Sequence, residues 1–139
     1  LATVARGRVR EGDAPTLYVH APDTKVPRGL DAQLAHAPVR AGMIDLEAVM
    51  RLLAAREVND VLVETGATLA GAFMASGLVD ELVLYVAPVL LGAQARPLFG
   101  GLHIEAMAER YQLDLTDTRR IGDDLRLTLH PRGVPAPAV

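Results

Sequence analysis

Cysteine is absent from the 139-residue chain, while lysine occurs once, as Lys25, and serine once, as Ser76. Without thiols there are no disulfides and no thiolate zinc sites. A broad cationic field is also missing: the formal net charge is −3 and the 13 Arg are scattered, which argues against a nucleic-acid partner. No apolar run approaches the ~18 residues of a membrane-spanning helix, and no basic segment precedes an apolar one. A soluble, cytoplasmic protein is expected. The four histidines, His20, His36, His103 and His130, show no metal-ligand spacing, so each is expected in a loop or on the surface and no metal is expected. Only His20, at the end of an apolar strand, is placed to line a cleft.

Half of the residues are hydrophobic, enough for one domain with a core. That domain is expected over residues 1–131, followed by a Pro-rich, disordered tail over 132–139. Thr16 to His20 reads as a strand, 21–29 as a loop with two Pro, and Val39 to Ala41 as a second, brief strand. Asp45 has the character of an N-cap, with Leu46, Val49, Met50, Leu52 and Leu53 at helical spacing through Glu57 and Asn59 at the end. The long β-branched run from Glu81 to Leu91 is a strand that Pro88 assigns to an edge or a bulge. Gln112 to Ile121 and Asp124 to His130 alternate apolar and polar residues around Gly122-Asp123, which makes a hairpin. The fold class expected is α/β, with a mixed, mainly parallel sheet, flanking helices and a C-terminal antiparallel hairpin.

The most informative stretch runs from Asp60 to Ala72, DVLVETGATLAGA. Its first five residues read as a strand buried on both faces, ending in Glu64, and a glycine turn then leads into a helix over 66–76 with Leu69, Phe73 and Leu78 inward. Ligands of such sheets collect at the carboxyl ends of strands. Glu64 is there either to accept hydrogen bonds from a ligand or as a plain rim charge. Gly66 and Thr68 offer amides and a hydroxyl at a helix start that suit a phosphate, unless Thr65 simply caps the helix. Asp80 and Glu81 are adjacent on a strand and point to opposite faces, so they do not converge as an acid/base pair. Arg96, in a loop, could meet a phosphate or brace a neighbouring strand. No catalytic dyad is legible.

The residues after this stretch, Gly77-Leu78-Val79-Asp80-Glu81-Leu82, Leu84 to Pro88, Leu90-Leu91-Gly92 and Ala95 to Leu98, continue one pattern without a gap. From about Ala14 to His130 the chain resembles the C-terminal part of the reductase domain of the riboflavin-biosynthesis deaminase-reductases, a dihydrofolate-reductase-like fold. The resemblance implies NADPH-dependent reduction of the ribosylamino group of a phosphorylated pyrimidine to a ribitylamino group. It further implies substrate contact for Glu64 and NADPH contact for the backbone of Gly66, Ala67, Thr68, Leu69, Ala70, Gly71 and Ala72. Thr65 and Ala67 replace the Ala and Pro commoner in that family, and neither change removes a donor. With no cysteine, the zinc deaminase half of such enzymes is not in this chain.

No Ser-Leu-Asp-Gly segment or Asp-Asp-Pro turn of the family type precedes Thr16. The expectation is a partial domain, either a fragment of a longer protein or one completed by another chain. Two alternatives stand beside the reductase: a non-catalytic remnant or dimerisation module, and a related reductase with another pyrimidine or pterin-like substrate. The C-terminal strands carry more apolar side chains, among them Val83, Tyr85, Leu113, Leu115, Leu127 and Leu129, than one helical layer covers. A homodimer through those strands is expected.

Overall fold

Residues 14–26 and 32–133 are described by the computed structural model, in which the chain divides into two units between Val61 and Leu62. The Arg-rich opening residues, the end of the expected 21–29 loop and the stretch from Val134 onward lie outside the described residues.

In the first unit, strand β1 (Leu17–His20) pairs in parallel with β2 (Gln33–His36), in a register that sets Leu17 against Gln33 and His20 against His36. The ladder is continued by the Ala37 N–H donating to the His20 carbonyl at 3.0 Å, and Tyr18 and Ala37 are buried. Strands β3 (Val39–Arg40) and β4 (Met43–Ile44) form a small hairpin around Ala41-Gly42, both at positive φ. Positive φ at both central residues is what a tight hairpin turn needs to match strand twist. Helix α1 (Leu46–Ala54) then starts at Asp45, whose carboxylate accepts the Ala48 N–H at 3.1 Å as the expected N-cap. Asp45 is buried and also takes the Arg40 Nε at 2.9 Å, tying the hairpin to the helix start. The helix ends before the expected Glu57. There the Glu57 N–H bonds to the Ala54 carbonyl and the Val58 N–H to that of Leu53, with Glu57 at φ 62. These are the two bonds of a Schellman ending, with glutamate where glycine is usual.

In the second unit, helix α2 (Ala67–Ala75) ends the same way, with Gly77 at φ 68 and the Leu78 N–H on the Phe73 carbonyl. Its buried residues are Gly71, Phe73 and Met74. Leu69, expected inward, is exposed instead, because that inner face is set by Phe73 and Met74. Strands β5 (Leu82–Val86), β6 (Leu113–Ile121) and β7 (Asp124–Pro131) make an antiparallel sheet of order β5-β7-β6. Gly122 at φ 62 and Asp123 join β6 to β7, the expected hairpin. A bulge between Leu115 and Asp117 leaves Thr116 outside the register, where its hydroxyl donates to the Thr128 carbonyl at 3.2 Å.

The architecture is the mixed α/β one expected, but it is not mainly parallel: among the described residues β1-β2 is the one parallel ladder, whereas β3-β4, β5-β7 and β7-β6 are antiparallel, because each of these joins strands through a hairpin or a return of the chain. The strand expected over Asp60 to Glu64 is not formed. Among the described residues no backbone hydrogen bond reaches this segment, and Leu62 is 85% exposed. Apolar composition favours burial but supplies no ladder partner, and an unpaired extended segment is not a strand. The strand expected over Glu81 to Leu91 stops at Val86, because its partner β7 runs out at the hairpin: Val86 lies opposite Leu125. Val89, Leu90 and Leu91 beyond it are exposed. Strands β2 and β4 were not foreseen. Pro131, expected as the last residue of the domain, closes β7, and Arg132, expected in the tail, continues the pairing by donating its N–H to the Gln112 carbonyl at 2.8 Å.

Candidate functional site

The first turn of α2 is open. Its N-cap is Gly66, at φ −80 and ψ 168, and no side chain caps the helix, so Thr65 does not play that part. The Ala70 N–H reaches the Gly66 carbonyl, whereas the amides of Ala67, Thr68 and Leu69 have no acceptor among the described residues. A Cβ built on Gly66 would meet no atom within 4 Å. Three free donors, the positive end of a helix dipole and open space are the makings of an anion site. The φ of Gly66 is one that any residue adopts, so space and not backbone conformation distinguishes glycine here.

One side of this turn is lined by the segment Phe99-Gly100-Gly101. The Gly100 N–H donates to the Ala67 carbonyl at 2.8 Å, and a Cβ on Gly100 would lie 3.5 Å from the Thr68 nitrogen. Four residues along the helix, a Cβ on Gly71 would fall 1.9 Å from the Gly100 carbonyl oxygen. Gly71 therefore permits the segment to sit where it does. Gly101, at φ 75, turns the chain away. The contact joins residues far apart in sequence, and the Gly-Gly pair was its only signal.

Glu64 is exposed, ahead of the turn in the same unit, with no ion-pair partner among the described residues. Its carboxylate is free to accept hydrogen bonds. Thr68 is exposed as well, and Ala67 and Ala70 are half-buried. Gly71 is buried under Gly100, so its amide and that of Ala72 belong to the helix ladder and do not face a ligand. Arg96 is exposed with no ion-pair partner among the described residues, and so braces no strand. Glu81 comes within 3.6 Å of the His130 Nε2, while Asp80 lines a separate open cavity of about 290 Å³ with Met74, Tyr111 and His130. Among the described residues no grouping of three or more His, Asp or Glu could hold a metal ion, and no helix is long and apolar enough to cross a membrane.

Comparison with known proteins gives one consistent result. The family model described as the RibD C-terminal domain matches residues 4–127. The riboflavin biosynthesis protein RibD of Escherichia coli (strain K12) is 41% identical over 92 residues, which cover 66% of this chain and 25% of that protein. The 5-amino-6-(5-phosphoribosylamino)uracil reductase of Buchnera aphidicola subsp. Acyrthosiphon pisum (strain APS) is 34% identical over 91 residues, covering 66% of this chain and 44% of the relative. Among solved structures, Acinetobacter baumannii RibD superimposes with a TM-score of 0.65 at 31% identity, covering 83% of this chain and 37% of that one. The chain thus spans about a quarter of the length of the Escherichia coli relative.

Proposed function

Because the chain belongs to the RibD C-terminal domain family, we propose that it carries the reductase chemistry of riboflavin biosynthesis. The reaction is the NADPH-dependent reduction of 5-amino-6-(5-phosphoribosylamino)uracil to its ribitylamino product. The observation that carries the proposal is the open, amide-bearing turn at Gly66 to Leu69 within the matched region, whose donor set fits a phosphate. Bound NADPH would supply the hydride. The part of this chain is to hold phosphate oxygens on the amides of Ala67, Thr68 and Leu69 and to orient the substrate through hydrogen bonds to Glu64. Neither task needs a side chain that gains or loses a proton, in keeping with a site that has no acid/base dyad.

The complete protein, given NADPH and the deaminated phosphoribosyl pyrimidine, should consume NADPH only when that substrate is present. NADPH binding without turnover on this substrate would overturn the proposal and favour a related reductase with another pyrimidine or pterin-like substrate.

Assembly as a homodimer through the C-terminal sheet is part of the same proposal. Register and pleat put Leu82, Leu84, Leu127, Leu129, Leu113 and Leu115 on one face of β5-β7-β6, and none of them is buried. Val83 and Tyr85, expected with them, lie on the opposite face beside Arg126 and Thr128. A second copy presenting the same leucines would cover the apolar face by two-fold symmetry.

A further inference from the structure

We propose that His20 and His36 together form a receptor for a phosphate monoester group. The two residues are directly paired at the ends of β1 and β2, and their ring centroids lie 6.5 Å apart with planes tilted by 50°. Paired residues of a ladder project from the same side of it, and ligands of parallel strands collect beyond the carboxyl ends, where both rings sit. The His20 Nδ1 is 2.8 Å from the Ala21 carbonyl oxygen. A carbonyl only accepts, so this nitrogen carries the hydrogen and Nε2 is left for a ligand.

The pair is neither neutralised nor used by the fold. Among the described residues no carboxylate lies within ion-pair distance of either ring, and no third ligating group completes a metal site. An imidazolium pair set directly opposite on a ladder is a like-charge pair, which a dianion between the rings neutralises. In that form each ring can donate one hydrogen bond of about 2.8 Å to a separate oxygen of one tetrahedral group, His20 through Nε2. His36 is exposed and His20 half-buried, so both are accessible to a ligand, and the loop leaving β1 carries the chain's one lysine, Lys25.

This inference rests on the proposed reductase function, which brings two phosphate monoesters to the protein: the 2′-phosphate of NADPH and the 5-phosphate of the pyrimidine's sugar. The test is titration of the complete protein, wild type and the His20→Ala/His36→Ala double variant, with NADPH, NADH and ribose 5-phosphate. The double variant should bind one of the two monoester probes at least ~tenfold more weakly, about 1.4 kcal/mol, and NADH with unchanged Kd. Selective loss of NADPH assigns the pair to the cofactor, and selective loss of ribose 5-phosphate assigns it to the substrate. In the wild type, the same probe should shield both histidines from carbethoxylation by diethyl pyrocarbonate, read by mass spectrometry, which reports on the folded protein whatever the variant does. Unchanged Kd values together with full carbethoxylation would overturn the inference. A wild type that binds neither dinucleotide sinks the reductase function instead, and the ribose 5-phosphate arm then still decides the pair.

Discussion

Gly71 and Gly100 meet through bare backbone: a single methyl group on Gly71 would fall 1.9 Å from the Gly100 carbonyl oxygen, closer than any real contact. Helix α2 and the 99–101 segment are therefore fitted to each other at a point where neither has a side chain.

Gly71→Ala should destabilise the protein although alanine is the better helix former. The propensity gain is about 1 kcal/mol, whereas the overlap with a backbone oxygen costs about 1–3 kcal/mol, with the segment displaced from the helix. Urea unfolding of Gly71→Ala beside Gly100→Ala separates the terms, because a Cβ at Gly100 meets only ordinary contacts at 3.5 Å and beyond. Higher stability for Gly71→Ala would show that the contact is loose.

Gly66→Val tests the open turn. Its side chain would enter empty space at φ −80, so the fold should tolerate it within the ~1 kcal/mol cost of a poor N-cap. NADPH affinity should nonetheless fall at least ~tenfold, because the branched side chain occupies the volume in front of the free amides. An unchanged Kd in fluorescence titration would place the cofactor phosphates elsewhere.

Glu64→Gln should lower kcat/KM for the pyrimidine and leave the Kd of NADPH nearly unchanged. The exposed carboxylate has no protein partner among the described residues, so no structural bond is lost with it. Replacing the charged acceptor proposed to face the substrate should cost about 1.5–3 kcal/mol of transition-state binding. Equal losses for substrate and cofactor would assign Glu64 to the cofactor.

Asp114 and Arg132 give a pH dependence of defined sign. The Arg132 Nε donates to the Asp114 carboxylate at 2.6 Å, and this hydrogen bond holds the carboxyl below its ordinary value. The unfolded chain takes up the proton first. The contribution to stability is therefore complete above the unfolded value of about 3.9 and is lost as the pH falls through the lower folded value. In urea titrations at pH values on either side of this window, Asp114→Asn should show a smaller acid loss than the wild type. An identical acid loss in the two proteins would mean that the pair, exposed as it is, is screened to insignificance.

Leu127→Glu should separate the proposed dimer. Light scattering at micromolar concentration should report twice the chain mass for the wild type and the single-chain mass for the variant. A wild-type protein of single-chain mass would mean that another surface covers the leucines.

Local signals in the sequence were read correctly because their causes are local. Asp45 caps α1 through an amide three residues on, and Gly122-Asp123 turns the hairpin by its own backbone preference. Glu57 defeated the expected helix end, since a glutamate in the left-handed region announces nothing that Gly77, in the same position after α2, does announce. Val61-Leu62-Val63 had the composition of a buried strand, but pairing belongs to the neighbour as much as to the segment. Of the candidate site, the glycine turn and Glu64 were legible. The seat of Gly100 on Gly71 and the pairing of His20 with His36 were not, because each depends on segments brought together only by the fold.

The bulge at Thr116 acts as a sorting device. Before it, the odd-numbered Leu113 and Leu115 share the leucine face. After it, parity changes hands, and Asp117 and Arg119 fall on the other side with Arg126, where Asp117 receives both guanidinium groups. A strand of uniform pleat would have carried that ionic cluster straight into the hydrocarbon. One supernumerary residue thus draws the border of the apolar patch across β6 and fixes how far along the strand a companion molecule could lie.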